Sequence, residues 1–462
     1  MKYDLIIKNG TFITPAGRVK GSLAVKDGRI AAAAEDSAAK KNAASGEGVG
    51  FKESEAKQVY DAKGLTVIPG LVDMHVHIND PGRTMWEDFP HATAAAAAGG
   101  ITTVADMPLN SFPAVTDVKT LKGKEEAAKG RLYIDCVPWG GLTNENAGEI
   151  PSMQKARVRA FKAFMSGSGI PDFSSAGNEA LLAGLEKTVG TDSFIGVHAE
   201  CDSIANYLAG KLKAKGRTDA RAWALSRPLS CEMEAIGRFL NLVAASGGNG
   251  HVCHVTTAEG ARLINEAMQR GLPVTFETCA SYLTFTEDDL AKRGAILKCA
   301  PPLRSAENRE ELWSLIKDGT IPIVTSDHSP CTWELKDKES IWDAWGGISG
   351  IQTTLYTMLT EGCYKRGLSL EKLVEVCCTN PAKRLGLEGK KGVIAAGADA
   401  DFAVIDPDKE WVLKEEDLLT KNRISPLIGS TIHGRVISTF LRGKEICEDG
   451  KIIGEATGRF AL

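Results

Sequence analysis

Residues 65–77 read LTVIPGLVDMHVH. Two apolar, β-branched runs meet at Pro69-Gly70, and the second ends in His75-Val76-His77. A run this short and this apolar fits a strand buried on both faces, as in a parallel sheet. Seven more runs of the same character follow: ITTVADMP at 101–108, LYIDCVPWG at 132–140, VRAFKAFM at 158–165, FIGVHAE at 194–200, GHVCHVTT at 250–257, PVTFETC at 273–279 and IPIVTSDH at 321–328. Longer amphipathic segments separate them. Eight buried strands alternating with helical segments predict the α/β class and a (β/α)8 TIM-like barrel. In that architecture functional side chains gather at the C-terminal ends of the strands.

The two chain ends read differently. Residues 3–30 are short alternating strands, with Asn9-Gly10 and Asp27-Gly28 as two-residue hairpin signals. The stretch 31–58 is rich in Ala, Ser, Gly, Lys and Glu without an apolar period, which predicts a mobile surface insertion. After Asn380-Pro381 short strands with Gly and Asp turns return. The expected organisation is a barrel over 66–388 beside a small β-sandwich domain built from both ends, 1–65 and 389–462.

Composition narrows the function classes. The formal net charge is -4 and no basic cluster occurs, which counts against nucleic acid or an anionic membrane surface as partner. No stretch of about twenty apolar residues suggests a membrane span. Asp4 stands where a signal peptide would carry its apolar run. The 11 cysteines are odd in number, scattered and without a CxxC pair, as expected of reduced thiols in a cytoplasmic protein. Gly99-Gly100 reads as a helix stop, and no GxxxxGK[ST] phosphate loop occurs.

The chemistry sits at the strand ends. Residues i and i+2 of a strand face the same side, so His75 and His77 can reach one metal ion, although an isolated HxH pair also arises by chance. His198, His254 and Asp327 each close a predicted strand. Any one of them could be an ordinary core residue, but four of the chain's eight histidines at strand ends beside an acid make coincidence a poor account. Imidazole and carboxylate suit zinc, iron, cobalt or manganese. Lys162 lies inside an apolar run, where an ammonium is costly. It is either an end-of-strand lysine reaching solvent or one converted by CO2 to a carbamate able to bridge two ions. His91 and His433 read as packing or surface residues, and His251, at the start of its strand, as facing away from the site or the opposite end.

The set His75-x-His77, Lys162, His198, His254 and Asp327 resembles the binuclear cyclic amidohydrolases: dihydropyrimidinases, hydantoinases, dihydroorotases and allantoinases. The similarity runs from PGLVDMHVH through AAAAGGITTVADMP and SDHSP to GADADFAVID. It implies that His75 and His77 bind one divalent ion with Asp327, that His198 and His254 bind the other, and that carboxylated Lys162 bridges them, zinc being the first choice. HINDPGRTMWEDF, DMPLNSFPAVT, FKAFMSGSGI, LKCAPPLR and SDHSPCTWELK resemble the allantoinase branch. Asn79 stands where dihydroorotases carry Arg, and Gly167 where hydantoinases carry Tyr. Cys279-Ala280-Ser281-Tyr282 departs from the wider family's Cys-Pro-His-Tyr, which bears on substrate contacts.

The resemblance implies hydrolysis of the ring amide of allantoin to allantoate, with Asp327 as general base and then acid. It further implies backbone contacts to substrate near Ala300 and Gly346, and a homotetramer. The rival expectations are another cyclic amide, as in a hydantoinase or dihydropyrimidinase, and a non-catalytic scaffold on the same fold.

Overall fold

The computed structural model describes residues 1–35 and 51–461. From the start of the chain, β1 (Tyr3–Thr14), β2 (Gly17–Lys26), β3 (Arg29–Glu35), β4 (Ala56–Asp61) and β5 (Thr66–Pro69) precede the barrel. The barrel strands are β6 (Leu71–Val76), β7 (Ile101–Asp106), β8 (Asp135–Gly141), β9 (Ala160–Phe164), β10 (Phe194–His198), β11 (Gly250–Val252), β12 (Val274–Phe276), β13 (Thr278–Cys279) and β14 (Val324–Thr325). After them come β15 (Phe402–Val412), β16 (Thr431–Leu441), β17 (Lys444–Glu448) and β18 (Lys451–Ile452).

The eight apolar runs all become barrel strands. Strands β6 to β12 form one parallel seven-stranded sheet in sequence order, and β13 pairs parallel with β14. A parallel bridge from Val76 to His328 and the bond from His77 N to His328 O (2.8 Å) join β14 back to β6. Every residue of β6, β7, β8, β9 and β10 is buried, which explains why their sequences are apolar runs and not alternating ones. Helices such as Phe89–Ala98, Leu229–Ser246 and Ala258–Gln269 lie between the strands. Asp88 caps the first of these by accepting from His91 N (3.0 Å).

Strands from both chain ends share a second, nine-stranded sheet in which β15 pairs with β5 and β5 with β1. Its core joins Leu5, Leu23 and Val67 from one end to Phe402, Val404 and Phe440 from the other. Gly70 lets the chain pass from this sheet into the barrel: a Cβ there would lie 2.1 Å from Thr102 Oγ1.

Two local expectations need correction. Asp27-Gly28 makes a hairpin turn with both φ values positive, but Asn9-Gly10 does not. Asn9 has φ 55 inside β1, where the register to β2 shifts between Ile7 and Gly10, so the pair is a bulge in a continuing strand. The turn comes later, at Pro15-Ala16. The stretch 31–58 is not wholly an insertion, because its two ends belong to β3 and β4; the centre of that stretch, 36–50, lies outside the described residues.

A buried ionic cluster ties the barrel to the second sheet. Lys391 Nζ lies 2.6 Å from Asp135, 3.0 Å from Asp399 and 2.6 Å from Asp401, and Arg442 donates to both oxygens of Asp135 at 2.7 and 2.6 Å. Three carboxylates this close could hold a metal ion, but the Lys391 ammonium already fills the space between them. All the cysteines are free and all but Cys363 are buried. No helix among the described residues is long and apolar enough to cross a membrane.

Candidate metal centre

The six side chains singled out from the sequence meet at the C-terminal end of the barrel strands. His75 lies in β6, Lys162 in β9, and His198 closes β10; His77 directly follows β6, and His254 and Asp327 come just after β11 and β14. His75 Nε2 is 3.3 Å and His77 Nε2 3.6 Å from Asp327 Oδ1. Across the barrel, His254 Nε2 lies 3.2 Å from His198 Nδ1 and 3.5 Å from Lys162 Nζ. The His75 and His254 rings, 5.3 Å apart, join the two groups. Parallel register sets this up: Lys162 aligns with Gly196 and Gly196 with His251, so the ends of β9, β10 and β11 advance together.

The electrostatics suit cation binding. Burial, reinforced by Lys162, lowers His75 and His254 well below the usual imidazole range; burial also lowers His77, against the pull of Asp327. Neutral imidazoles offer lone pairs. The Nε2 atom of His75 is buried without a hydrogen-bond partner, and ring nitrogens of His198 and His254 face each other. His75, His77 and Asp327 present ligand atoms within 4.8 Å of one another. His254 (φ 39) and Asp327 (φ 45) occupy the left-handed region, which costs a non-glycine residue about 1–3 kcal/mol and recurs at functional sites.

Carboxylates stand behind two of the imidazoles. His75 Nδ1 donates to Glu277 Oε1, and His198 Nε2 donates to Glu200 Oε2 at 2.8 Å. Burial alone would raise Glu200, but Arg227 and the His198 bond outweigh it and hold the carboxyl below its usual range. For Glu277 burial wins, raising the carboxyl well above the usual range against the opposing pull of Lys162. His251 is buried behind the ligand cluster. Its Nε2 lies 3.4 Å from Glu277 Oε2, and the other oxygen of that carboxyl accepts from His75 Nδ1. The sequence did carry a signal for these acids: each lies within or beside an apolar strand run, as Lys162 does, where an unpaired charge is expensive.

The cluster opens into a cavity of about 340 Å³ whose walls include Ala300 and Gly346, the two expected backbone contacts. Trp223, Arg227, Lys298 and Trp345, none of them singled out from the sequence, also line it. Gly167 lines the same cavity with no side chain, and its N–H donates to Asp202 Oδ1 at 3.1 Å. His91 and His433 lie away from the cavity, bonded to Asp88 and stacked on Tyr364 respectively.

Comparison with known proteins identifies the family. Residues 64–260 match the dihydro-orotase-like family and residues 238–446 the amidohydrolase family. The chain is 42% identical to an allantoinase of Rubrobacter xylanophilus over 99% of its own length and 97% of the relative's. It is 41% identical to an allantoinase of Salmonella newport over 96% and 95%. Among solved structures it resembles the L-hydantoinase (dihydropyrimidinase) of Arthrobacter aurescens, with TM-score 0.93, 34% identity and 99% of both chains covered. The dihydropyrimidinase of Brevibacillus agri follows at TM-score 0.89, 30% identity, and 99% and 98% coverage. With near-complete alignment, the same fold and a polar cluster at the barrel mouth, the chain belongs to the cyclic amidohydrolases, in the branch that holds the allantoinases.

Proposed function

We propose that this hydrolase of cyclic-amide C–N bonds opens the ring of allantoin to give allantoate. The reading rests chiefly on the convergence of His75, His77, Lys162, His198, His254 and Asp327 in one cavity. The allantoinases of similar sequence support the substrate. The donor set fits a pair of divalent ions, zinc, iron, cobalt or manganese: four imidazoles, a carboxylate, and a buried lysine that CO2 can convert to an anionic bridge. His75, His77 and Asp327 would hold one ion, His198 and His254 the other, and carboxylated Lys162 both.

A bound ion pair supplies a water of lowered pKa and polarises the ring carbonyl. Asp327 takes the water's proton as the new C–O bond forms. It returns that proton to the ring nitrogen as the C–N bond breaks, so one carboxylate serves as base and then acid. Backbone groups at Ala300 and Gly346 hold the ring's edges. Gly167 offers the oxyanion no phenol donor from that position, so its charge would fall to the bound ions and to backbone N–H groups.

The test is turnover of allantoin beside hydantoin, dihydrouracil and dihydroorotate, on protein reconstituted with metal and bicarbonate. Preferential hydrolysis of allantoin is expected. Preference for hydantoin or dihydrouracil would transfer the same chemistry to another ring, and absence of both metal and activity would favour the scaffold reading.

A further inference from the structure

One wall of the cavity carries donors that the described residues satisfy only in part. Lys298 is 3% exposed, yet among the described residues its ammonium makes one of the three hydrogen bonds it can make, to Ala344 O at 2.5 Å. It sits 4.1 Å from the centre of the Trp223 ring, and the Arg227 guanidinium sits at the same distance from that ring. Arg227 Nε is buried without a hydrogen-bond partner, its nearest carboxylate oxygen (Glu200 Oε1) being 3.7 Å away. Trp345 Nε1 is buried and unpartnered as well. All three residues line the cavity that holds the ligand cluster.

Such a wall is costly when empty, because each buried donor has given up water without a replacement. Burial, with the positive charges of Lys336 and Arg227, accordingly brings Lys298 down to about 7. The wall is also rigid. Lys336 Nζ donates to Ala295 O (3.1 Å), Trp345 O (3.0 Å) and Gly347 O (2.5 Å), and Gly347 N donates to Lys298 O at 2.8 Å. The loop bearing Trp345 is thus pinned to the segment bearing Lys298, and the donors are held in place before any ligand arrives.

We propose that Lys298, assisted by Trp345 Nε1 and Arg227, is the residue that recognises the ureido arm of the substrate. The inference rests on the allantoin reading given above. Allantoin is a hydantoin ring with a ureido substituent. When the ring amide lies at the His–Asp–Lys cluster, the ureido carbonyl is the acceptor left to meet a wall of donors. Hydantoin has the same scissile amide and lacks that acceptor, so it leaves the wall unsatisfied. A site built to hydrogen-bond a substrate group discriminates strongly against the analogue without it.

The experiment measures kcat/KM for allantoin and, with hydantoin as competing substrate or inhibitor, the preference between the two, in metal-loaded wild type, K298M, K298R and W345F. A ratio is insensitive to the fraction of protein that folds. K298M is expected to lower the allantoin-over-hydantoin preference about 10- to 100-fold, mainly through KM, in line with loss of a charged hydrogen bond. W345F, which keeps the aromatic ring and removes one donor, is expected to lower it less, and K298R to retain more of it than K298M. An unchanged preference in both K298M and W345F, while wild type hydrolyses allantoin, would overturn this inference alone. A wild-type enzyme that processes hydantoin and refuses allantoin would overturn the function reading and this inference with it.

Discussion

Glu277 offers the sharpest test of how the barrel prepares its ligands. Its side chain is fully buried, one oxygen accepting from His75 Nδ1 and the other facing His251 Nε2 at 3.4 Å. A carboxylate only accepts, so the His75 Nδ1 bonded to it carries the proton. His75 is thereby fixed with a bare Nε2, the atom that points toward Asp327. The Glu277→Gln variant keeps the volume and one acceptor, but it removes the charge and replaces the second acceptor oxygen by an amide NH2. Replacing a charge-assisted hydrogen bond by a neutral one forfeits about 1–1.5 kcal/mol. Loss of a partner behind a ligating histidine typically costs 10- to 100-fold in metal affinity, or about 1.4–2.8 kcal/mol. The two estimates overlap near tenfold. Competition of metal-stripped protein against a chromophoric chelator reads this directly, and the affinity of the variant should fall at least tenfold. Burial raises the Glu277 carboxyl well above its usual range. If it serves as a neutral acid even with metal bound, glutamine copies it, and an affinity equal to wild type would refute the charge argument.

Asp327→Asn should lower kcat by about 10²–10⁴-fold, the usual span for a positioned acid–base group, and a kcat within tenfold of wild type would remove its assigned role. Lys162→Ala should lose metal on dialysis, as read by elemental analysis; a full complement retained through dialysis would exclude the carbamate bridge. Lys391→Met leaves Asp135, Asp399 and Asp401 buried without their ammonium and should cost about 3–5 kcal/mol at pH 7, measured by denaturant unfolding. Burial opposes the charged form of Lys391, but the three aspartates outweigh it and raise the amine above its unfolded value of 10.5. Its stabilisation is therefore complete at neutral pH and is lost only as the solution becomes strongly alkaline. In the variant Asp401, which burial already raises, loses the ammonium that opposed the rise and takes up a proton more readily, so the deficit should narrow toward acid. A deficit that widens toward acid would contradict the assignment.

Local patterns in the sequence revealed what depends on one strand, and missed what depends on two. Eight apolar runs marked the barrel because parallel strands buried on both faces have no reason to alternate, and His75-Val76-His77 marked the site because period two is a property of a single strand. Asn9-Gly10 misled for the complementary reason. Its turn preference is real and Asn9 does take a positive φ, but pairing of β1 with β2, β4 and β5 carries the strand through as a bulge. Lys298, Arg227 and Trp345 come from three separated segments, and only the fold shows that their donors share a wall. Glu277 is the instructive intermediate. A carboxylate inside PVTFETC carries the same warning of costly charge as the lysine inside VRAFKAFM, so its importance was readable in principle. Its partner was not. Pairing of β11 with β12 sets His251 beside Thr275, and His251 Nδ1 lies 2.8 Å from Thr275 Oγ1. Glu277, two residues on, therefore faces the same interior as Thr275 and reaches His75. A slip of one residue in that register would turn Glu277 toward the helices and leave His75 Nδ1 bare. The tautomer of a candidate metal ligand on β6 thus depends on the register between two strands more than 170 residues away in the chain.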